Sequence, residues 1–186
     1  MTNTYIHPTA NVSEGAKIGS GTKVWINVQI REGSDIGSDC IISKDVYVDY
    51  AVKIGERCKI QNSVSVYNGV TIEDDVFVGP NVSFTNDKIP RAFNADWKIT
   101  PTMIRTGASI GANATVVCGI EIGRFSMIAS GAVVTKNVAD YTLVMGNPAR
   151  FVSYICRCGN RLSEQDYCDS CHETMKLNRA TLGVEK

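Results

Sequence analysis

The tail of the chain concentrates four cysteines in the stretch CRCGNRLSEQDYCDSC, at Cys156, Cys158, Cys168 and Cys171. The first pair is followed by a glycine, which lets the backbone curl toward the sulfurs, and two close pairs of this kind are typical of a Zn²⁺ site with four thiolate ligands. The first pair is one residue tighter than the usual C-x-x-C, so two disulfides or free thiols remain alternatives. Four thiolates leave no open coordination position, and we therefore expect a structural role for the metal, such as capping one end of the fold.

A second concentration of polar chemistry lies in SFTNDKIPRAFNADWKITPTM, residues 83–103. Asn86 and Asp87 open it with an amide beside a carboxylate, and Asn94 and Asp96 repeat those groups further on. An Asx-turn that starts a loop is the alternative role for the first pair. Loops of this length without secondary structure are usually functional or disordered, and the two prolines and three apolar anchors of this stretch favour an ordered arm. Gripping a neighbouring subunit is the other role open to it.

Histidine, the usual general base at neutral pH, is scarce in this chain. The only two are His7, at the start, and His172, beside the last cysteine. Neither lies near residues 83–103 in the sequence. A reaction that needs a base at this stretch would therefore depend on a carboxylate or on water, with Asp87 as hydrogen-bond acceptor or base and Asn86 as the group that orients the reactants.

The elements that must position these groups follow a six-residue repeat. Of the fourteen residues at this spacing from position 6 to position 84, thirteen are Ile or Val, and a second series runs from position 104 to position 134. The series are Ile6, Val12, Ile18, Val24, Ile30, Ile36, Ile42, Val48, Ile54, Ile60, Val66, Ile72, Val78 and Phe84, then Ile104, Ile110, Val116, Ile122, Ile128 and Val134. A period of six fits neither a helix nor a long strand, but it fits short extended segments that turn after each hexad, with Gly, Asn or Asp at the bends.

This pattern resembles the hexapeptide-repeat proteins, which form a left-handed parallel β-helix with three hexads per coil. The resemblance implies an all-β fold of six to seven coils over residues 1–140, with an extruded loop at 85–103. A linker at 141–155 and the four-cysteine tail at 156–186 would follow. Members of the family are mostly acyl-CoA-dependent acyltransferases that work as trimers with active sites between subunits. For a member of this family, the scarcity of histidine favours N-acylation over O-acylation, because a hydroxyl acceptor needs a base whereas a substantially neutral sugar amine can attack a thioester with only a carboxylate or water to take its proton. Asn86 would then orient the amine or the thioester carbonyl. Carbonic anhydrases of this fold need three histidine ligands, which this chain lacks.

A closer resemblance rests on KIQNSVSVYNGVTIEDDVFVGPNVSFTND, PRA, IRTGASIGANATVVCGIEIG and GNPAR. It is to the nucleotide-diphospho-amino-sugar N-acetyltransferases of bacterial surface-polysaccharide and O-antigen synthesis. Among these, the chain resembles enzymes for UDP-2-acetamido-3-amino-2,3-dideoxy-glucuronate, and enzymes for dTDP-3-amino-3,6-dideoxyhexoses are the alternative. Asn27 stands where the uronate group commonly has histidine, which puts the identity of the sugar in doubt.

The resemblance also implies roles for individual residues. Arg91 would pair with the diphosphate or a uronate carboxylate, since its planar fork suits both. The other substrate-binding candidates are Gln61, Asn62, Tyr67 and Asn94. On the acetyl-CoA side, the implied residues are Thr106, Gly107 and Ala129, whose backbone amides would reach the pantetheine carbonyls, and Lys136 and Arg150, which would meet the phosphates.

The overall composition excludes several classes of partner. Nineteen basic and nineteen acidic residues give no net charge, so nothing favours nucleic acid or an anionic membrane. The sequence predicts neither a signal peptide nor a membrane span, and a cytoplasmic homotrimer is the expectation. A non-catalytic β-helix that serves as an assembly scaffold is the alternative from a different functional class.

Overall fold

Each hexad forms a strand of two or three residues in the computed structural model, which describes residues 3–177. In chain order the strands are β1 (Tyr5–Ile6), β2 (Asn11–Val12), β3 (Lys17–Ile18), β4 (Lys23–Val24), β5 (Gln29–Ile30), β6 (Asp35–Ile36), β7 (Ile41–Ile42), β8 (Tyr47–Val48), β9 (Lys53–Ile54), β10 (Lys59–Ile60), β11 (Ser65–Val66), β12 (Val70–Ile72), β13 (Phe77–Val78), β14 (Ser83–Phe84), β15 (Thr102–Ile104), β16 (Ser109–Ile110), β17 (Thr115–Val116), β18 (Glu121–Ile122), β19 (Met127–Ile128), β20 (Val133–Val134), β21 (Thr142–Met145), β22 (Arg150–Tyr154), β23 (Tyr167–Cys168) and β24 (Glu173–Thr174). No helix that could span a membrane occurs in this part of the chain.

Strands β1 to β20 join three parallel sheets in rotation, so each strand from β4 onward pairs with the strand three positions earlier in the chain. Sheet A begins β1-β4-β7, sheet B begins β2-β5-β8, and sheet C contains β3-β6-β9 and their successors. The twenty hexad strands make six complete coils and two sides of a seventh. The predicted all-β parallel β-helix of six to seven coils is confirmed. We name its corners by the two sheets that they join: A–B, B–C and C–A.

The repeat spacing determines both the core and the corners. The leading aliphatic residues are buried from Val24 to Val134, whereas Ile6 in the first coil is 44% exposed because no earlier coil covers it. Residues with positive φ recur every six positions from Gly15 to Asn81 and again from Gly107 to Gly131. Most are Gly, Asn or Asp, which adopt the left-handed conformation at little cost. The interior cysteines of the repeat, Cys40, Cys58 and Cys118, are all buried.

One corner carries an insertion. Ile54 pairs with Ile72, 18 residues later, but Ile72 pairs with Ile104, 32 residues later. Fourteen residues are therefore added between β14 and β15, at the B–C corner of the fifth coil. The predicted loop 85–103 is too long at its end, because Thr102 and Met103 already belong to β15. We call residues 85–101 the arm.

Residues 141–155 are expected to be a linker, but most of them form a β-hairpin. Strand β21 extends sheet A beyond β19, and β22 pairs antiparallel with β21. The open edge of β19 offers unpaired backbone groups, and β21 satisfies them, which explains why this segment is ordered. The four-cysteine tail follows directly, with its own small sheet of β23 and β24.

Candidate active site

The root of the arm is closed by contacts with the coils on either side. The backbone amide of Thr100 donates to the carbonyl of Asn86 at 2.9 Å, and the side-chain amide of Asn86 lies 3.5 Å from the carbonyl oxygen of Asn68, one coil earlier. Gly69 has a φ of +97°, and a Cβ there would clash with Ile99. Glycine at this corner thus lets the returning segment of the arm lie against the β-helix.

Beyond its root the arm forms short local turns. Asp87 Oδ1 accepts a hydrogen bond from the amide of Ile89 at 2.9 Å. This bond forms an Asx-turn, which is the alternative role for this residue. Asn94 Oδ1 accepts in the same way from the amide of Asp96 at 3.1 Å, and Arg91 donates to the carbonyl of Pro90 at 2.7 Å. These bonds hold the polar side chains of the arm against the arm's own backbone.

The apolar side chains of the arm point outward. Ile89, Phe93 and Trp97 are 69%, 86% and 44% exposed. Asn86 and Asp87, by contrast, are half-buried at the root. The arm therefore exposes apolar side chains while its amide and carboxylate at the root remain beside the coils.

Below the root, the B–C corner carries a polar cluster that the sequence analysis missed. Asp49 is buried, and its carboxylate accepts from the Tyr47 hydroxyl at 2.9 Å, Arg31 at 3.1 Å, and the amides of Tyr50 and Asn68 at 2.8 and 3.2 Å. Burial on its own raises the pKa of Asp49, but these hydrogen bonds outweigh it and lower the pKa. The signal in the sequence is the 18-residue spacing of positions 31, 49 and 67, which stacks them at one corner.

On the other side of the root, an open groove of about 400 Å³ runs across sheet C. Thr71, Met103 and Glu121 form part of its floor. At its edge Arg105 forms ion pairs with Glu73 at 2.8 Å and Glu121 at 2.9 Å. Burial alone raises the pKa of Glu73, but hydrogen bonds from Arg105 and from the amide and hydroxyl of Thr106 lower it to about 2.

The predicted substrate-binding residues fall at different corners. Tyr67 precedes Asn68 at the B–C corner, and its ring packs edge-on against Tyr47 with 6.0 Å between ring centroids. Gln61 and Asn62 follow β10 of sheet A and precede β11 of sheet B, so they lie at the A–B corner. A single chain therefore brings Tyr67 beside Asn86 but leaves Gln61 and Asn62 at another corner.

The three backbone amides expected on the coenzyme side already have hydrogen-bond partners within the folded chain. Thr106 donates its amide to Glu73 Oε2 at 2.9 Å, Gly107 to the carbonyl of Asp74 at 3.0 Å, and Ala129 to the carbonyl of Val144 at 2.9 Å. Neighbouring coils use these amides to hold the β-helix together, so they are not available to pantetheine carbonyls. Lys136 and Arg150 are both exposed, as a phosphate-binding role would require.

The four cysteines of the tail do converge. The sulfur atoms of Cys156, Cys158, Cys168 and Cys171 all lie within 4.8 Å of one another. Cys156 and Cys168 are buried, Cys158 is exposed and Cys171 is half-buried. The spacing of the four cysteines in the sequence predicts this group.

Two family models match the repeat. The bacterial transferase hexapeptide (six repeats) matches residues 51–86, and the hexapeptide repeat of succinyl-transferase matches residues 101–136. The fourteen residues between the matches, 87–100, are the insertion in the B–C corner. The family models thus describe the regular coils on both sides of the arm.

One curated relative is the dTDP-3-amino-3,6-dideoxy-alpha-D-galactopyranose 3-N-acetyltransferase of Aneurinibacillus thermoaerophilus. It is 48% identical over 61 residues, which cover 33% of this chain and 32% of the relative. The match thus spans about a third of the length of that protein.

Two solved structures share the fold. A hexapeptide-repeat-containing acetyltransferase from Vibrio cholerae O1 biovar eltor, complexed with acetyl coenzyme A, is 25% identical with a TM-score of 0.53, and the match covers 67% of this chain and 72% of that one. A GDP-perosamine N-acetyl transferase variant from Caulobacter crescentus, in complex with CoA and GDP-perosamine, is 21% identical with a TM-score of 0.56. That match covers 82% of this chain and 57% of that one, and it shows the fold alone.

Proposed function

We propose that this hexapeptide-repeat protein transfers an acetyl group from acetyl-CoA to the amino group of a nucleotide-diphospho-sugar. The observation that carries the proposal is the 48% identity to a sugar-nucleotide 3-N-acetyltransferase over 61 residues. The likeness to a hexapeptide-repeat acetyltransferase complexed with acetyl coenzyme A supports the choice of donor.

An amine acceptor fits the chemistry available at the root of the arm. The two histidines are remote along the fold from this root: His7 follows β1 in the first coil, and His172 lies in the tail. A substantial fraction of a sugar amine flanked by electron-withdrawing oxygens is neutral near pH 7, and this neutral amine needs only a group to receive its proton. Asp87 offers a carboxylate and Asn86 an amide at the half-buried root.

In the reaction that we propose, the amine nitrogen attacks the thioester carbonyl and forms a tetrahedral intermediate. The Asp87 carboxylate accepts the amine proton, and the carbon–sulfur bond breaks to release coenzyme A as a thiolate, which then takes up that proton. An ionised carboxylate accepts about four hydrogen bonds, so the bond from Ile89 leaves Asp87 capacity for the amine. Asn86 orients the amine or the carbonyl group.

Around this centre, Tyr67, Arg91 and Asn94 would bind the sugar nucleotide, and Lys136 and Arg150 the phosphates of the coenzyme. Gln61 and Asn62 would join the site only from a second copy whose A–B corner faces the arm, which supports active sites between subunits. We propose a homotrimer because the hexapeptide-repeat proteins that the chain resembles work as trimers. A dTDP-3-amino-3,6-dideoxyhexose is the first substrate to test because the curated relative is named for one. UDP-2-acetamido-3-amino-2,3-dideoxy-glucuronate is the second.

The test is release of free thiol from acetyl-CoA in the presence of dTDP- and UDP-amino sugars. We expect turnover with at least one amino sugar and none with the corresponding hydroxyl sugars. Asp87→Asn should lower kcat at least 100-fold, which is within the range of general acid–base catalysis. Asp96→Asn is the matched control in the same arm and should retain activity.

The proposal fails if no amino sugar supports turnover and acetyl-CoA gives no protection against thermal unfolding. Unchanged turnover in Asp87→Asn would remove that residue from the mechanism.

A further inference from the structure

The four-cysteine group has the dimensions of a metal site rather than of two disulfides. The Cys156 and Cys171 sulfurs are 3.8 Å apart, and the Cys158 and Cys168 sulfurs are 3.6 Å apart. Zinc–sulfur bonds of about 2.3 Å in a regular tetrahedron place neighbouring sulfurs about 3.8 Å apart. A disulfide would bring a pair to about 2.05 Å. These two separations therefore match two opposite edges of a tetrahedron of thiolates, and all four sulfurs lie within 4.8 Å of one another.

Two turns of similar design supply the ligands. In the first, the amide of Gly159 donates to the carbonyl of Cys156 at 2.8 Å, and Gly159 has a φ of +92°. In the second, the amide of His172 donates to the carbonyl of Cys168 at 2.8 Å, and His172 has a φ of +57°. In each turn the residue after the second cysteine takes a left-handed conformation and closes the turn onto the first cysteine. The tighter C-x-C spacing thus still directs both of its sulfurs toward the common centre.

The side chains around the sulfurs support thiolate ligands. The side-chain amide of Asn160 donates to the sulfur of Cys158 at 3.3 Å, as outer hydrogen bonds to ligating sulfurs do. The imidazole Nδ1 of His172 lies 3.4 Å from the hydroxyl of Tyr167. His172 therefore contributes its backbone to the turn, and the four cysteines complete the ligand set without its ring.

The group lies against the end of the β-helix. The amide of Ile155 donates to the carbonyl of Tyr141 at 2.8 Å, immediately before Cys156. A Cβ at Gly159 would lie 3.1 Å from the Cε of Met127, on β19 of sheet A. The first turn thus packs on the outer face of the last coils, next to the β21–β22 hairpin.

We propose that Cys156, Cys158, Cys168 and Cys171 bind one Zn²⁺ and that this ion folds the tail and fixes it on the terminal coils. The physical reason is size: a segment of about twenty residues cannot bury enough apolar surface to fold alone, and small units of this kind usually depend on metals or disulfides. The ion has four protein ligands and no open position, so it serves structure rather than acetyl transfer.

The test is elemental analysis of the purified full chain together with a count of reactive thiols. We expect one Zn²⁺ per chain and stepwise release of the ion as a mercurial reagent modifies four thiols. Cys168→Ser should reduce the zinc content to well below half an ion per chain. Cys118→Ala, which alters a buried cysteine of the repeat, should retain the full ion, and His172→Ala should also retain it because the ring is not a ligand.

Proteolysis provides a second measurement if Cys168→Ser is poorly soluble. Removal of zinc from the wild-type chain by a strong chelator should expose the tail to protease while residues 3–140 stay resistant, and added Zn²⁺ should restore resistance. Bound iron, two disulfides in the freshly purified chain, or zinc content unaffected by Cys168→Ser would each overturn the proposal. All of these readouts are independent of acetyltransferase activity.

Discussion

The arm and the four-cysteine tail both depart from the six-residue repeat, and both carry the chemistry that the sequence offers. They differ in where their partners come from. In the tail, two turns bring four sulfurs within 4.8 Å of one another inside one chain. In the arm, Asp87, Arg91 and Asn94 bond to nearby arm backbone, while Phe93 is 86% exposed.

The functions proposed above for the two regions account for this difference. The ligands of the tail are complete within the chain, as a structural metal centre requires. The groups of the arm lie on a scaffold that positions them for something else, such as the sugar nucleotide, the coenzyme or a second copy of the chain. If this comparison is right, removal of one region should leave the function of the other intact.

Replacing the arm should have the largest effect. Deletion of residues 87–100 with Pro101→Gly would restore a corner of ordinary length, with glycine at the position that corresponds to Gly69. We expect kcat/KM to fall at least 100-fold, because misplaced catalytic groups cost that much. Thiol-release kinetics measure this effect. The zinc content should stay at one ion per chain, and retained turnover would show that the active site lies elsewhere.

A smaller effect is expected within the tail. Gly159→Ala puts a side chain at φ +92°, which costs about 1 to 2 kcal/mol, and we expect Zn²⁺ retention against a chelator to weaken about tenfold. His172→Gly is the matched change at the other turn, where glycine relieves a left-handed φ, and it should leave retention unchanged. Acetyl transfer should be unaffected in both variants. Equal losses of zinc in both would contradict the role given to the two turns.

The sequence could predict features that depend on local spacing. The hexad series predicts the coils and the corners, and four cysteines within sixteen residues predict the four-sulfur group of the tail. Features that depend on how one coil stacks on another could not be predicted from local spacing. The hydrogen bonds of Asp49 join three coils, and the amides of Thr106 and Gly107 are used between coils, so neither fact can be read from one hexad. Residues 141–155 were misjudged because the open edge of β19, not their own pattern, orders them.

A further test concerns Glu73, which lies at the edge of the sheet C groove on the same side of the fold as the arm. Like the cysteines of the tail, Glu73 has its hydrogen-bond partners within one chain. Its lowered pKa means that the carboxylate stabilises the fold fully above its ordinary value of 4.5, and this contribution is lost as the pH falls toward about 2. Glu73→Gln should cost about 1 kcal/mol at pH 7, since the pair is partly exposed. Urea unfolding of both proteins across this range should show the difference shrinking as the pH falls. A difference independent of pH would mean that the charge of Glu73 contributes nothing to stability.

The smallest effect on stability should come from the tip of the arm. Phe93 is 86% exposed, so Phe93→Ala should change the free energy of unfolding by less than about 0.5 kcal/mol when urea unfolding is measured on dilute protein. Repeating the measurement at high protein concentration separates the partners that the arm could have. If the ring contacts only the substrate, the stability difference stays small at every concentration and the change appears in KM. If the difference instead grows above about 1 kcal/mol as the chain associates, Phe93 is buried against a second copy, and the arm, like the tail, is completed by protein.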